Sequence, residues 1–278
     1  MNRRFLPIVA LIVCLTTAFA DRPGGFRVIG PGGGGAMFNP TISPHDPNTV
    51  LISCDMSGSY ITHDGGRSWR MFNLRGVVNF FVFDPVDPKT MYAHATALWR
   101  STDAGEHWNL VYPGPSAVKG VKMNSDHSDE SILADPDPLS SISAMAVDPA
   151  NSHILYVTAG PKESPALFVS RDYGKNWQKQ ASLPDVPRRI WVDRHSATGG
   201  RTLFLASART IAIVNADKVR TLPLPATATD VSLGFDSGEQ PTIYATSEQG
   251  IRVSKDGGVS CVRSLLPHLR PARTRGRP

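Results

Sequence analysis

The sequence predicts an all-β chain built from the repeated four-stranded blades of a propeller. Three observations predict it. A phrase of the form S/T-x-D-x-G-x-x-W returns along the 278 residues, three times complete and once without its Trp. Apolar runs hinged near Asp-Pro recur at intervals of 41, 64, 45 and 43 residues from Ser43, a spacing in the range of four-stranded propeller blades. The 24 Gly and 23 Pro are spread along the chain, as suits short strands joined by tight turns. No stretch beyond the first twenty residues sustains a 3.6-residue period. A parallel α/β sheet is therefore excluded, because its crossovers need helices.

At the amino terminus Asn2, Arg3 and Arg4 form a basic region, and Phe5 to Leu15 form an apolar core. Ala18-Phe19-Ala20 is a small-x-small cleavage site. This pattern predicts a secretory signal peptide over residues 1–20, and hence a periplasmic or extracellular protein. An apolar run of about 11 residues is too short to span a bilayer, so no membrane association is expected after cleavage. Cleavage removes Cys14 and leaves Cys54 and Cys261, which predicts no disulfide framework.

The propeller is expected over residues 21–260. Its paired apolar runs are Ile42–Ser53, Phe83–His94, Val147–Thr158 and Phe235–Ser247, with a worn version at Val192–Ala206 followed by a strand at Thr210–Val214. The third unit reads as four strands: Ile142–Val147, Ile154–Thr158, Ala166–Ser170 and Trp177–Ala181. Runs such as Ile154-Leu155-Tyr156-Val157-Thr158 are β-branched and aromatic, and turn residues bound them. The long second unit carries an insertion at about residues 116–141, expected as a solvated loop. From residue 261 to 278 the chain turns Arg- and Pro-rich with no strand pattern, which predicts an irregular tail.

The formal charge of +5 comes from the two ends. Two arginines in 1–20 and five in 261–278 stand without acids, and the remaining 22 basic residues face 24 acidic ones. No basic stripe is left to bind nucleic acid.

The recurring phrase holds Asp64, Gly66 and Trp69, then Asp103, Gly105 and Trp108. It returns with Asp172, Gly174 and Trp177, and with Asp256 and Gly258, where Cys261 replaces the Trp. Each Asp is expected to accept backbone N–H groups of its own turn, each Gly to supply a positive φ, and each Trp to pack between sheets. A catalytic group is needed once, not once per blade, so these are read as structural turns.

This phrase resembles the Asp-box, or BNR, repeat of sialidases, sortilin-type receptors and related β-propellers, over about residues 30–260. The resemblance implies seven blades where five are present. Two arrangements follow: an incomplete arc, which is the expectation, or a five-bladed ring completed by Phe26–Ile29. Gly32-Gly33-Gly34-Gly35, Ser43-Pro44-His45-Asp46-Pro47 and Cys54-Asp55-Met56-Ser57-Gly58-Ser59-Tyr60 are similar to the start of glycoside hydrolase family 74. That family's segment reads T-D-V-G-G-A-Y, and its Asp is the base of an inverting hydrolysis. Asp55 matches it, while Cys54, Met56 and Ser57 depart from it. The family's general acid comes from a second propeller, which this chain lacks, although an inverting hydrolysis needs both carboxyls.

Phe26-Arg27-Val28-Ile29 resembles the F-R-I-P segment of sialidases without its Pro, and Arg188, Arg189 and Arg209 stand in no recognisable motif. In the insertion, residues 124–138 gather five acids and His127. They could meet calcium, but they carry no EF-hand spacing. No Cys/His zinc spacing is present, and no metal or cofactor is expected. Three function classes stay open. The first is an exported carbohydrate-binding propeller related to glycoside hydrolases, with weak or no hydrolysis and a polysaccharide partner. The second is a protein-binding scaffold, and the third an inactive truncated product.

Overall fold

Strand pairing in the computed structural model follows the repeat. The structure describes residues 29–31, 35–56, 58–123, 130–224, 227–235 and 240–263. The readings on 1–20, 26–28, 32–34, 57, 124–129 and 264–278 lie outside them. The chain divides after Gly30, and the propeller belongs to the unit that begins at Pro31.

Blade 1 joins β1 (Met37–Ile42), β2 (Val50–Cys54), β3 (Gly58–Thr62) and β4 (Arg70–Asn73). Blade 2 joins β5 (Phe80–Phe83), β6 (Met91–His94), β7 (Leu98–Ser101) and β8 (Asn109–Tyr112). A separate hairpin follows, of β9 (Val118–Met123) and β10 (Glu130–Ala134). Blade 3 is β11 (Ala144–Asp148), β12 (Asn151–Ala159), β13 (Ala166–Ser170) and β14 (Gln178–Ser182). Blade 4 is β15 (Arg189–Val192), β16 (Thr202–Ala206), β17 (Thr210–Asn215) and β18 (Lys218–Pro223). Blade 5 is β19 (Asp230–Phe235), β20 (Pro241–Ser247), β21 (Gly250–Ser254) and β22 (Val262–Arg263). Every blade is an antiparallel meander in chain order. Among the described residues the one helical element is a single 3-10 turn at Pro115–Ala117.

Two segments differ from the sequence reading. The insertion is not a plain loop: β9 and β10 pair residue by residue, Ile132 opposite Val121, and Glu130 N–H bonds to the Arg75 carbonyl at 2.9 Å. Its short runs carry too few β-branched residues to stand out beside the blades. Val262–Arg263, read as the start of an irregular tail, pairs with Val253 and Arg252 as the outer strand of blade 5.

The blades are held in series by apolar seams. Leu51 and Ile61 of blade 1 pack with Phe81, Phe83 and Met91 of blade 2. Tyr92 and Leu98 meet Met145, Val147 and Leu155 across the next seam. Leu167 and Val169 meet Leu203 and Val214, and Phe204 and Ile211 meet Val231 and Ile243. Alternation along each strand feeds one face to each neighbour. Among the described residues no such cluster joins blade 5 to blade 1.

Polar clasps reinforce the seams at the Pro turns between first and second strands. Asp84 Oδ1 accepts the N–H groups of Val86 and Asp87, and the hydroxyl of Ser152 from blade 3. His45 of blade 1 bonds through Nε2 to the Asp84 carbonyl at 2.8 Å. At the equivalent place in blade 3, Asp148 receives Arg201 of blade 4 through two bonds, of 2.7 and 3.0 Å. Both side chains are buried.

Candidate functional site

Antiparallel pairing sorts the loops onto two ends of the blades. The S/T-x-D-x-G turns, between third and fourth strands, share one end with the Pro turns. The second-to-third strand turns and the connections between blades share the other. Asp55, in the β2–β3 turn, therefore lies at the opposite end of the sheets from Asp64, Asp103, Asp172 and Asp256.

The four recurring turns are built alike. In blade 2 Ser101 Oγ donates to Asp103 Oδ1 and accepts the Gly105 N–H, both at 2.8 Å. Asp103 Oδ1 also accepts the His107 N–H, and Oδ2 the His107 ring at 2.7 Å. Thr62, Ser170 and Ser254 repeat the role of Ser101, and Ser68, Asn176 and Ser260 repeat that of His107. Hydrogen bonds to the charged form hold Asp64, Asp103 and Asp256 well below the usual carboxylate range. These bonds are local and the carboxylates face solvent.

The glycines of these turns have a second duty. Gly105 and Gly174 sit at φ of +86° and +88°. A Cβ there would come within 2.8 Å of Ile61 Cδ1 and 2.6 Å of Val111 Cγ1, each on the preceding blade. The residue before is left-handed as well, even where it is Ala104 or Tyr173 (φ +61° and +63°). Trp108 then stacks on Phe72 of blade 1, with centroids 5.1 Å apart, and Trp177 packs in the seam between blades 2 and 3.

Asp55 is placed differently. Its Oδ1 accepts the Ala36 N–H at 2.9 Å, and its own N–H bonds to the Ala36 carbonyl. Gly35 admits the carboxylate: a Cβ there would lie 2.4 Å from Oδ1. The remaining side-chain partner among the described residues is the Cys54 thiol at 3.5 Å. No second carboxylate stands among these partners.

At the same end, two openings converge on the middle of the chain. One, about 330 Å³, lies between the inner strands, with Asn39, Asn79, Phe80, Arg188 and Trp191 on its wall. The other is a groove of about 700 Å³ where loops of blades 3 and 4 meet the connection to blade 5. Lys162, Asp185, Arg188 and Arg209 line it. The arginines without a motif in the sequence thus acquire a setting, which only the docking of three loops creates. Beside the inner strands, His94 stacks on Phe80 at 5.2 Å. Burial pushes its pKa down to about 4, so it is neutral near pH 7.

In the insertion the Tyr112 hydroxyl donates to Asp137 Oδ1 and accepts the Leu139 N–H. Asp137 is thereby committed to ordering the chain. Among the described residues no three His, Cys, Asp or Glu side chains gather as a metal would require. No helix among them is long and apolar enough to cross a membrane.

No protein-family model matches the chain. Its sequence is similar to a xyloglucanase of Acetivibrio thermocellus, 27% identical over 224 residues, covering 65% of this chain and 24% of that enzyme. A Paenibacillus xyloglucanase is 26% identical over 196 residues, covering 62% of this chain and 17% of the enzyme. The chain thus spans about a quarter or less of the length of these relatives. Among solved structures, one from a nidogen/laminin complex matches with a TM-score of 0.55 at 11% identity, over 83% of this chain and 81% of that one. That likeness extends to the fold alone. Together with the five four-stranded blades, the sequence matches make this a propeller like those of glycoside hydrolase family 74.

Proposed function

We propose that the chain is an exported carbohydrate-binding propeller, related to glycoside hydrolases and hydrolysing β-glucans weakly or not at all. The observation that carries this reading is the similarity to two xyloglucanases over more than three-fifths of the chain. Export rests on the basic, apolar and small-x-small order of residues 1–20. The ligand binds at the end of the blades that holds Asp55 and the groove, where loops on a rigid scaffold can vary without disturbing the seams.

Asp55 is the one residue we place in a catalytic role, as a general base. With Oδ1 anchored on Ala36 N–H, Oδ2 is the oxygen that would take a proton from water. Inversion needs a carboxylic acid about 6.5–9.5 Å away to protonate the leaving group. Binding can stand without turnover, since contacts in a groove need no acid–base pair. The turn aspartates are structural staples, a role supported by bonds that stay within each turn.

The test uses the chain cut after Ala20, run through affinity gels of xyloglucan and mixed-linkage glucan beside Asp55→Ala. We expect retention by at least one polymer, equal in both proteins, with negligible release of reducing ends. Robust hydrolysis that disappears in Asp55→Ala would replace a binding protein by an enzyme. Absence of retention on both gels, with no binding of any other saccharide, would sink the carbohydrate reading and favour a scaffold.

A further inference from the structure

The groove where loops of blades 3 and 4 meet the connection to blade 5 has a charge that the rest of the propeller does not predict. Outside its two ends the chain carries slightly more acids than bases. Yet the groove gathers Lys162, Arg188 and Arg209 against one acid, Asp185. Asp185 does not neutralise them. Its Oδ1 accepts the Val186 N–H, and Oδ2 stands 4.0 Å from Arg209 Nε, at the limit of an ion pair.

Arg188 and its neighbour make the point by contrast. Arg189 is spent on blade 5, with Nη2 3.2 Å from Asp230 Oδ1 and Nη1 on the Val231 carbonyl. Arg188 is exposed and uses its backbone N–H on Ala206, and its guanidinium has no ion pair among the described residues. It borders both the groove and the opening between the inner strands. Lys162 is exposed in the same way from the β12–β13 loop. A guanidinium held at a groove wall with its fork unused is suited to a planar carboxylate, which it meets with two parallel charge-assisted bonds.

The other walls narrow the ligand further. Ile142 and Pro187 are buried and apolar, while Ser141 and Thr227 offer hydroxyls. Among the described residues no aromatic ring lines the groove, so its charged groups are the ones that offer selectivity, rather than a stacking platform for a neutral sugar. Its volume is within the range of small-molecule sites.

We propose that this groove binds a saccharide through carboxylates, that is, a uronate-bearing glycan, with Arg188 and Arg209 as its anchors and Lys162 in support. The proposal rests on the carbohydrate reading above and names the chemical class of its ligand.

The test is calorimetric titration of the chain, cut after Ala20, with trigalacturonate. Three controls run beside it: the same trisaccharide with its carboxyls reduced, a xyloglucan oligosaccharide, and a short polyglutamate. We expect trigalacturonate to bind, to weaken as salt is raised, and to exceed the reduced sugar at least tenfold. Arg188→Ala and Arg209→Ala should each weaken it about tenfold or more, and Asp185→Asn should tighten it. All three positions are on loops, and unchanged circular dichroism and thermal midpoints would separate lost binding from lost folding. Equal binding of the reduced sugar would overturn the proposal, as would equal binding of polyglutamate. Binding of the xyloglucan oligosaccharide alone, indifferent to both arginine variants, would overturn it and leave the carbohydrate reading standing. No binding of any saccharide here or in the polysaccharide gels would overturn both.

Discussion

Removing Arg201 should be among the most damaging single changes in this propeller. Its guanidinium crosses the seam between blades 4 and 3 and grips Asp148 with bonds of 2.7 and 3.0 Å. The two side chains are 3% and 0% exposed, so neither charge is served by bulk water. Arg201→Met keeps most of the volume but strands the Asp148 carboxylate, whose remaining donor among the described residues is the Ala150 N–H. Breaking a buried pair from one side costs about 3–5 kcal/mol. The double variant Asp148→Ala/Arg201→Met removes both charges and should recover much of that loss, because desolvation is no longer owed to either ion. The cycle should therefore give a coupling of about 2–3 kcal/mol. Guanidinium unfolding followed by tryptophan fluorescence reads it, with the slope compared across variants to check that the same cooperative unit unfolds. An Arg201→Met protein within about 1 kcal/mol of the parent would refute the claim that this pair clamps the seam.

Other perturbations probe separate features. His94, held to a pKa of about 4 by burial, binds fewer protons folded than unfolded between about pH 4 and 6.5. Stability should fall as pH drops through that window, by up to about 3 kcal/mol, and His94→Gln should flatten the slope in pH-dependent unfolding. The turn aspartates have depressed folded values, so their contribution is lost only as pH falls below the ordinary carboxylate value of 3.8. Gly174→Ala combines a left-handed backbone with a Cβ 2.6 Å from Val111 and should cost about 1–3 kcal/mol in chemical denaturation. A neutral result would show that the seam between blades 2 and 3 yields. Cys261, in the place of Trp108 and Trp177, borders an apolar cavity of about 40 Å³ with Leu222 and Ile243 between blades 4 and 5. Cys261→Trp should stabilise by about 1 kcal/mol by laying its ring over Leu222 and Ile243, and an unchanged or lower midpoint would contradict that packing.

The sequence by itself determined the local architecture. The S/T-x-D-x-G spacing encodes turns whose bonds lie within four residues of the Asp, as at Ser101, Asp103 and His107. Such turns need no distant partner and so are legible in the chain. The runs around Asp84, Asp148 and Asp193 likewise announced the first two strands of each blade, and blade 4 could be found without its box. Tertiary structure decided whatever depends on one blade meeting the next. Asp148 and Asp84 occupy equivalent turns, yet one receives Arg201 and the other Ser152, and no local pattern distinguishes them. Ala104 and Tyr173 take, against their own preference, the left-handed conformation that Gly65 and Gly257 take at the same place, with their N–H groups on the Lys89 and His153 carbonyls of their own blades. The hairpin of the insertion is tied back to the chain after blade 1 by Glu130 and Arg75, 55 residues apart, a contact that no local pattern announces. The same holds for the site. Asp55 could be singled out from its segment, but its anchoring on Ala36 is a pairing across β1 and β2. Lys162, Arg188 and Arg209 form one cationic surface because the ends of successive meanders converge, a geometry set by blade packing rather than by the order of residues.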